Sequence, residues 1–252
     1  MELKVISFNI RCCDDKNGNS IAERGPRLGG IINSYSPDVI GIQEFRPAWQ
    51  EQFDKYFLDE YDIYNVPRDS LPNGESVPVL WKKDRFDCVK KATFWLSDTP
   101  EVESGDWDEK YHKNRICSYV ILRDKRDGKT FAFMNTHFGF GDMGQTKSAE
   151  LIYKYSNAIG EDAVFVTGDF NMNPKDLGYA EMIKHFTDVN AVTANEKGIT
   201  FHGYAPEKYT DTHIDFCFIN DGVKPLSYKI IKDTVDGKYP SDHYGLLVGL
   251  EV

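Results

Sequence analysis

Ten short segments with the composition of β-strands, spread along the whole chain, constrain the fold more than any other feature. They cover residues 3–10, 38–44, 77–83, 88–96, 116–124, 129–138, 163–170, 214–220, 226–233 and 243–252. Several alternate apolar and polar residues, whereas AVFVTGDF at 163–170 is apolar almost throughout, as in a strand covered on both faces. Helices are predicted at 21–35, 47–57, 145–159 and 175–185. So many strands with so few helices do not suit an alternating doubly wound sheet, and they predict two packed β-sheets with helices outside.

The bulk features favour one domain over residues 1–252. The chain has no internal repeat, low-complexity tract or Pro/Ser-rich linker. No apolar run approaches the roughly 18 residues of a membrane helix, and MELKVISFNI has neither the basic region nor the apolar core of a signal peptide. We therefore expect a cytoplasmic monomer without a membrane partner. Five cysteines without a repeated spacing argue for reduced thiols.

The charge balance weakens one class of partner. The net charge is -10 and the pI is about 5.1. Binding along a nucleic acid backbone usually shows a basic footprint, but the basic residues here occur only as scattered pairs such as Lys82-Lys83. We therefore do not expect strong binding to duplex DNA.

A glycine-rich stretch, NTHFGFGDMGQ, has two interpretations. Gly139, Gly141 and Gly144 spell G-x-G-x-x-G between a predicted strand and a predicted helix, the context of a dinucleotide-binding turn. Asp142, however, puts a negative charge inside the turn whose N–H groups would hold a pyrophosphate. Glycines between a strand and a helix are also common turn residues. A substrate loop beside His137 is therefore favoured, with a nicotinamide-dependent oxidoreductase as the alternative of a different class.

Polar side chains recur where the predicted strands end. They are Asn9, Glu44, His137, Asp169, Asn171, Asp215, Asp242 and His243. Each has a structural explanation when taken alone, such as an ion pair between Glu44 and Arg46. Several strand ends that meet at one edge of a sheet form a usual place for a site, so their joint occurrence indicates function.

These residue types suit metal-assisted cleavage of a phosphoester. Carboxylate and amide oxygens are the ligands that Mg²⁺ and Mn²⁺ prefer, and such an ion screens charge on phosphoryl oxygens. A carboxylate or a histidine can activate water while neutral or cationic donors stabilise the transition state. No His/Cys pairs have zinc spacing and no G-x-S-x-G is present, so zinc and serine hydrolases are not supported.

The order SFNIR, IQE, NTHF, GDFN, IDF and SDH, from residue 7 to 243, resembles the endonuclease/exonuclease/phosphatase superfamily with the deoxyribonuclease I-like fold. The resemblance implies a four-layer α/β sandwich, with two mixed β-sheets face to face, helices outside and the site at one edge. The stretches GESVPVLWKKDRF, FWLSDTPEV, ITFHGY and YPSDH are similar to a bacterial branch described mostly as family hydrolases.

The resemblance also implies a metal site for Mg²⁺ or Mn²⁺. Asn9 and Glu44 match the principal metal pair, with Glu44 as the direct ligand. Asp242 would assist at the rim of the metal site.

The same resemblance implies roles for the other strand-end residues. Asp169 would orient or deprotonate the attacking water, and Asn171 would hold that water or a phosphate oxygen. Asp215 would fix the tautomer of His243 so that its other ring nitrogen faces the phosphate, and His137 would donate to a phosphoryl oxygen. Whether Asp169 or the Asp215–His243 pair is the base stays open.

On the substrate side, Arg115 matches an arginine of the same branch that would clamp a phosphate. Its alternative is a surface salt bridge with Asp108 or Glu109. The branch motifs also contain three residues that would shape the pocket or be structural: Glu75, His202 and Tyr204. After His137 the chain reads Phe-Gly-Phe-Gly-Asp where related chains commonly read Phe-Asp-His, so specificity does not transfer.

The function predicted from the sequence is water attack on a phosphomonoester or phosphodiester of a phosphorylated small molecule, nucleotide or oligonucleotide end. A DNA repair or degradative nuclease of the same fold is the second enzyme hypothesis, which requires a local basic groove. A non-catalytic binding protein is disfavoured because every expected polar position is filled.

Overall fold

The computed structural model describes residues 1–105 and 107–252, and within them the chain forms twelve β-strands. The strands are β1 (Glu2–Asn9), β2 (Val39–Gln43), β3 (Tyr61–Tyr64), β4 (Val79–Lys82), β5 (Phe86–Trp95), β6 (Ile116–Asp124), β7 (Thr130–His137), β8 (Val164–Asp169), β9 (Thr187–Asp188), β10 (Asp215–Ile219), β11 (Lys224–Ile231) and β12 (Gly245–Glu251). All ten predicted strands are present.

Five α-helices are described: α1 (Ile21–Tyr35), α2 (Gln50–Tyr56), α3 (Asp142–Ile159), α4 (Leu177–Met182) and α5 (Val189–Val192). The Ser20 side chain caps α1, and the Glu23 side chain returns to the Ser20 backbone, which together satisfy otherwise unpaired N–H groups of the first turn. None of the described helices is long and apolar enough to cross a membrane.

The strands form two six-stranded mixed sheets. The first has the order β11-β12-β1-β2-β4-β3 and the second β5-β6-β7-β8-β10-β9. Each sheet contains one parallel pair, β1 with β2 and β7 with β8, and the other neighbours are antiparallel. The helices α1 and α3 connect these parallel pairs, because a parallel connection needs a crossover.

Three apolar clusters separate four layers. One fills the space between the two sheets, with Val5 and Val248 from the first sheet facing Phe133 and Phe165 from the second. A second cluster lies between the first sheet and helices α1 and α2. The third lies between the second sheet and helices α3 and α4. The predicted α/β sandwich, with helices outside two facing sheets, is therefore confirmed.

The predicted helices differ from the structure mainly at their ends. The segment 47–57 divides into a 3-10 turn at Pro47–Trp49 and α2. Helix α3 begins three residues before the predicted 145, and α4 is shorter than the predicted 175–185 because Asp176 has an extended backbone. The strands β3 and β9 and helix α5, of four residues or fewer, were not predicted.

An inter-sheet polar network, formed by Ser7, Gln43, Asn135 and Thr167, interrupts the apolar core. Gln43 Nε2 donates to Ser7 Oγ at 3.2 Å and to Asn135 Oδ1 at 2.7 Å. Thr167 Oγ1 also donates to Asn135 Oδ1, at 3.3 Å. All four residues are buried, so these bonds join the sheets in an environment that excludes water.

The network also fixes how the two sheets are aligned. Asn135 Nδ2 donates to the carbonyl oxygens of Ile42, at 2.7 Å, and Pro78, at 3.0 Å. A Cβ atom on Gly41 would lie 2.6 Å from both Asn135 Oδ1 and Thr167 Oγ1, which explains the glycine in the middle of a strand. The alignment places the ends of β1, β2, β7 and β8 at one edge of the sandwich.

Candidate active site

Five of the predicted site residues lie at strand ends on this edge. Asn9 ends β1, Glu44 follows β2, and His137 and Asp169 end β7 and β8 as register partners. Asp215 begins β10, which runs antiparallel to β8, so it also pairs with Asp169. The topology therefore brings these five residues together.

Two loops add the remaining three strand-end residues. Asn171 follows β8, and its backbone N–H donates to Asp169 Oδ1 at 3.0 Å. Asp242 and His243 precede β12, and the neighbouring Ser241 hydroxyl donates to the Asn9 carbonyl oxygen at 2.7 Å. All eight strand-end residues predicted from the sequence thus meet in one place.

A continuous line of polar contacts crosses the site. His243 Nδ1 donates to Asp215 Oδ2 at 2.9 Å, and His243 Nε2 lies 3.7 Å from Asp169 Oδ2. Asn9 Nδ2 donates to Asp169 Oδ2 at 2.9 Å and to Glu44 Oε1 at 3.2 Å. The amide of Asn9 therefore bridges the two carboxylates. Its oxygen accepts from the Arg11 N–H at 3.0 Å, so the group that faces Glu44 is a donor and not a metal-binding oxygen.

Burial and neighbouring charges set the protonation of the line. Burial and the Asp215 carboxylate raise the pKa of Asp169 to about 7. Burial acts to lower the pKa of His243, but Asp215 and then Asp169 and Asp242 raise it to about 10. At neutral pH, His243 is therefore a cation between two carboxylates, and Asp169 titrates in the range useful to a general base.

His137 has the opposite protonation. Its burial, followed by the nearby Arg115 charge, lowers the pKa of His137 well below its ordinary value, so the ring is neutral at pH 7. Its Nε2 accepts from Asn171 Nδ2 at 3.0 Å, which leaves the ring proton on Nδ1. Asn171 Nδ2 also donates to the Phe138 carbonyl oxygen at 3.0 Å.

Glu44 is the carboxylate best suited to a cation. Burial acts to raise its pKa, but the Cys12 N–H, the His243 cation and the Asn9 amide act to lower it, and the pKa lies below its ordinary value. Within the described residues, its oxygens accept from the Asn9 amide and from the Cys12 N–H at 2.8 Å. It forms no ion pair within residues 1–105 and 107–252, and a partly buried carboxylate without a cationic partner is a candidate metal ligand.

Another group of potential ligands lies beside it. Asp169, Asp215 and His243 offer ligand-type atoms within 4.8 Å of one another. Asp215 and His243 already satisfy each other at 2.9 Å, whereas the two Asp169 oxygens each accept one hydrogen bond, from the Asn171 N–H and from Asn9 Nδ2, and keep a lone pair for a further ligand. The site therefore contains a group of side chains that could hold a metal ion, beside the Glu44 carboxylate.

Left-handed backbone conformations concentrate at the site. The φ angles are 61° at Arg11, 62° at Glu44 and 50° at Asn171. This conformation is unfavourable for a side chain such as glutamate and costs of order 1–3 kcal/mol. The strain aims Glu44 back toward Asn9 at the end of β2, where an extended strand would direct it elsewhere.

The site opens into a cleft of about 720 Å³. It is lined by the carboxylates Glu44, Glu75, Asp169 and Asp242 and by cationic side chains. The cationic residues are Arg11, Arg68, Lys110, Lys113 and Arg115. The cleft therefore contains a local group of basic side chains, although the chain as a whole has a negative net charge.

Arg115 lines this cleft and is also paired. Its Nε and Nη2 donate to Asp108 Oδ2 at 3.1 and 3.0 Å. The sequence alternative named Asp108 as a surface partner, but both side chains are buried. Contact of Arg115 with a phosphate remains a prediction, and the pairing with Asp108 holds the guanidinium at the cleft wall.

Glu75 lines the cleft, whereas His202 and Tyr204 do not. Glu75 pairs with Arg46 at 2.6 Å and Arg68 at 2.9 Å, so it positions arginines. His202 is fully buried, and its Nδ1 accepts from the Tyr204 N–H at 3.2 Å.

Of the two roles predicted for His202 and Tyr204, pocket-shaping or structural, the described contacts favour the structural one. The His202 and Gly203 N–H groups donate to the Asp242 carbonyl oxygen at 2.9 and 3.0 Å. The His202 ring packs against Tyr239 and Tyr244, with centroids 4.5 and 4.2 Å apart. These residues therefore support the Asp242 loop from behind the cleft.

The glycine motif does not form a cofactor cradle. Gly144, in the first turn of α3, donates its N–H to Glu109 Oε1 at 3.0 Å. A Cβ atom on Gly144 would lie 1.8 Å from the Trp107 carbonyl oxygen. A carboxylate of the chain thus occupies the helix end where a pyrophosphate would bind, and the glycines make room for segment 107–109.

Several cleft residues were not predicted from the sequence. They are Arg68, Lys110, Tyr111, Lys113 and Phe140. They lie in loops away from strand ends, where no periodic pattern indicates which way a side chain points. The substitution of Phe-Gly-Phe-Gly-Asp after His137 was the one signal that this side of the cleft differs.

The sequence profile described as the Endonuclease/Exonuclease/phosphatase family matches residues 6–243. The chain belongs to this family. The match covers every strand-end residue of the site, and the resemblance stated from the short motifs is confirmed.

Solved structures of family proteins from Bacteroides are similar over almost the full chain. An endonuclease/exonuclease/phosphatase from Bacteroides vulgatus is 29% identical with a TM-score of 0.91, and the alignment covers 100% of this chain and 99% of that one. A mannosyl-6-phosphatase from Bacteroides thetaiotaomicron is 27% identical with a TM-score of 0.90, and coverage is 99% and 100%. The fold and the family are therefore shared with these bacterial proteins.

Two more distant relatives have names that refer to activity on nucleic acids. Tyrosyl-DNA phosphodiesterase 2 of Rattus norvegicus is 24% identical over 99% of this chain and 67% of that protein. A probable RNA exonuclease of Schizosaccharomyces pombe is 20% identical over 71% of this chain, and the match spans only 38% of its length. The chain is thus a family hydrolase whose relatives include phosphatases, phosphodiesterases and nucleases.

Proposed function

We propose that this family hydrolase is a divalent-metal-dependent phosphoesterase that uses Mg²⁺ or Mn²⁺ and directs water onto a phosphomonoester or phosphodiester. The observation that carries the proposal is the line of contacts from Asp215 through His243, Asp169 and Asn9 to Glu44. The line contains an ionised ligand, a titrating carboxylate and a cationic imidazole within one cleft. These are the parts that phosphoester hydrolysis needs.

Glu44, with Asp242 at the rim and one oxygen of Asp169, would hold the metal ion. The ionised Glu44 has no cationic partner among the described side chains, and this unmet charge supports a divalent cation there. A bound ion of this kind neutralises charge on the phosphoryl oxygens and on the leaving group. Asn9 would orient both carboxylates through its amide hydrogens.

Asp169 would take the proton of the attacking water. Its raised pKa matches a base that works near neutral pH. Asn171 has both amide contacts engaged with His137 and Phe138, so its Oδ1 is the atom left to accept from that water. Of the two roles implied by the family, water positioning is therefore favoured over phosphate binding.

His243 would stabilise the phosphoryl oxygens. Asp215 holds the imidazolium through Nδ1, which leaves the Nε2 proton directed toward the cleft near Asp169. A charged donor that is already oriented lowers the barrier because it does not reorganise during the reaction. The neutral His137 would contribute its Nδ1 proton to the same oxygens.

The cleft supports a small substrate. Its volume of about 720 Å³ suits a sugar phosphate, a nucleotide or an oligonucleotide end. The mannosyl-6-phosphatase relative supports a sugar phosphate, and the phosphodiesterase and exonuclease relatives support nucleic acid ends. A nuclease of the same fold is the second candidate, favoured by the five lysine and arginine side chains that line the cleft.

Metal-restored turnover tests the proposal. The chain is stripped with chelator and assayed on phosphomonoesters, dinucleotides, abasic duplex and single-stranded oligonucleotides, with and without Mg²⁺ or Mn²⁺. The His243→Gln variant, prepared in parallel, identifies any contaminating phosphatase. We expect turnover only with metal and only in the unsubstituted chain. Metal binding without turnover on any class would instead favour a non-catalytic binding protein.

A further inference from the structure

The segment 107–115, which we call the lysine loop, carries cleft residues that the proposed chemistry does not use. Lys110, Tyr111 and Lys113 line the cleft, together with Phe140 from the glycine-containing loop. Tyr111 is 51% exposed despite its large ring. An exposed aromatic side chain beside two lysines at a site entrance indicates a binding surface.

Hydrogen bonds hold the lysine loop in place. The buried Asp108 carboxylate accepts from the N–H groups of Tyr111, at 3.0 Å, and Phe140, at 3.4 Å, as well as from Arg115. The Glu109 N–H donates to the Phe140 carbonyl oxygen at 2.9 Å. The position of the two lysines is therefore built into the fold and is not a property of a free loop.

The glycine motif allows this seating. A Cβ atom on Gly139 would lie 2.8 Å from the Asp108 Cα, and one on Gly144 would overlap the Trp107 carbonyl oxygen. The glycines thus admit the backbone of the lysine loop against the start of α3. This gives the G-x-G-x-x-G a role in shaping the substrate cleft.

Two aromatic rings hold the ammonium group of Lys110. Its Nζ lies 4.8 Å from the Tyr111 ring centroid and 4.6 Å from that of Phe140. The two rings meet edge to face with centroids 5.3 Å apart. Cation–π contact with two rings keeps the ammonium at the cleft and limits the entropy lost when it binds an anion.

The cationic side chains that line the cleft differ in whether a carboxylate already neutralises them. Arg115 is neutralised by Asp108, and Arg68 by Glu75. Lys110 and Lys113 form no ion pair with a carboxylate among the described residues, so their charges are open to a ligand. Of the described lysines and arginines that line the cleft, Lys110 and Lys113 are therefore the two without a carboxylate partner.

We propose that Lys110 and Lys113 bind a second phosphate group of the substrate, next to the phosphate that is hydrolysed. This inference rests on the proposed function, since it takes the hydrolysed phosphate to sit between Glu44 and His243. Two phosphates on one ligand occur in an oligonucleotide end and in a sugar bisphosphate, and the chemistry recognised is the same.

Binding to a non-hydrolysing background tests this directly. In the His243→Gln protein with Mg²⁺, calorimetry compares thymidine 5′-monophosphate with the 5′-phosphorylated dinucleotide pTpT, and glucose 6-phosphate with glucose 1,6-bisphosphate. We expect the two-phosphate member of one pair to bind about tenfold more tightly, the size of one charged contact. The pair that shows the preference identifies the source of the second phosphate.

Substitutions then assign the preference to the lysines. Lys110→Ala with Lys113→Ala should remove it and leave the one-phosphate compounds unchanged, while Lys110→Arg with Lys113→Arg should retain it. Lys129→Ala with Lys154→Ala removes the same charge from exposed positions outside the cleft and should retain it too. Melting temperatures of all variants verify that they are folded.

Two results would overturn the inference: equal binding within both pairs, or a preference that survives the Lys110/Lys113 alanine substitutions. Turnover by the unsubstituted chain is measured separately. Turnover without a binding preference rejects the second-phosphate site and keeps the proposed function. A lysine-dependent preference without turnover keeps the site and rejects hydrolysis.

Discussion

At the scale of single residues, Asp215 acts on the reaction through its neighbours, because it holds His243 and raises the pKa of Asp169. It lies behind the imidazole, does not line the cleft and accepts from His243 Nδ1 at 2.9 Å. Asp215→Asn should lower kcat by about 10²- to 10⁴-fold, with little change in KM. The decisive readout is the His243 pKa by NMR titration, which should fall because its main source of increase is removed. Asp188→Asn, a buried aspartate on β9, is the matched control, and equal losses in both variants would point to a structural cause.

Glu44 supports a prediction with two parts. Its lowered pKa means that the fold favours the ionised side chain, so without metal Glu44→Gln should lower the free energy of unfolding at pH 7 by about 1 kcal/mol. With Mg²⁺ only the unsubstituted chain should gain further stability, because a ligand that binds the folded state stabilises it. Melting temperatures with and without Mg²⁺ check both parts. An identical response of the variant to Mg²⁺ would show that Glu44 is not a ligand.

How much of the site could be predicted depends on where each residue lies. Asp169 and Asp215 were identified because residues at strand ends meet wherever the sheet places those ends. The roles of Asn9 and Asn171 needed coordinates, since only distances reveal which side-chain atoms are already engaged. Arg68 and Lys110 reach the cleft through loops whose course depends on distant contacts, and the sequence has no local signal for that.

At the scale of elements, the end of β6 opposite the site contains a buried ion cluster. Burial acts to raise the pKa of Asp124, but Arg126 and then Arg85 lower it to about 2. A depressed carboxyl pKa stabilises the fold above its unfolded value of 3.8, and this contribution is lost as pH falls through 2. Its size is about 2 kcal/mol.

Asp124→Asn should therefore lose about 2 kcal/mol at pH 7 and much less near pH 2. Urea unfolding at both values measures the difference. Turnover should be unchanged, because Asp124 and the site lie at opposite ends of β6. A loss of stability that is the same at both pH values would mean that packing, and not charge, holds this corner.

Strand and helix predictions succeeded where a pattern repeats over enough residues. The strand β8 was recognised from its apolar run and α1 from its 3.6-residue apolar spacing. The strand β9 has two residues, too few for any period, and forms only because β10 offers it an edge. Tertiary contacts determine whether such short elements form, and the local sequence pattern carries no information about those contacts.

At the scale of the whole molecule, the inter-sheet polar network links stability to activity. Asn135→Ala would leave Gln43 Nε2 and two backbone carbonyl oxygens without that partner, which should cost about 3 kcal/mol. Because Asn135 precedes His137 on β7, kcat should fall as the two sheets lose their alignment. Chemical denaturation and steady-state kinetics test the two effects together. As a control, Thr167→Val removes only one hydrogen bond of 3.3 Å and should reduce both stability and kcat slightly. Full activity in a destabilised Asn135→Ala protein would show that the network does not control the geometry of the site.

The order of the strands also decides when the proposed site is complete during synthesis. Strand β1 takes β12 as its neighbour, while the second sheet is built entirely from strands that lie between them in the sequence. Asp242 and His243 lie just before β12, so a nascent chain carries Asn9, Glu44 and Asp169 long before their partners emerge. Until then β1 keeps an unpaired edge, which is open to pairing with other chains. The proposed site is therefore complete only after β12 has formed, and we expect a chain that stops before residue 242 to lack turnover and to expose the unpaired edge of β1.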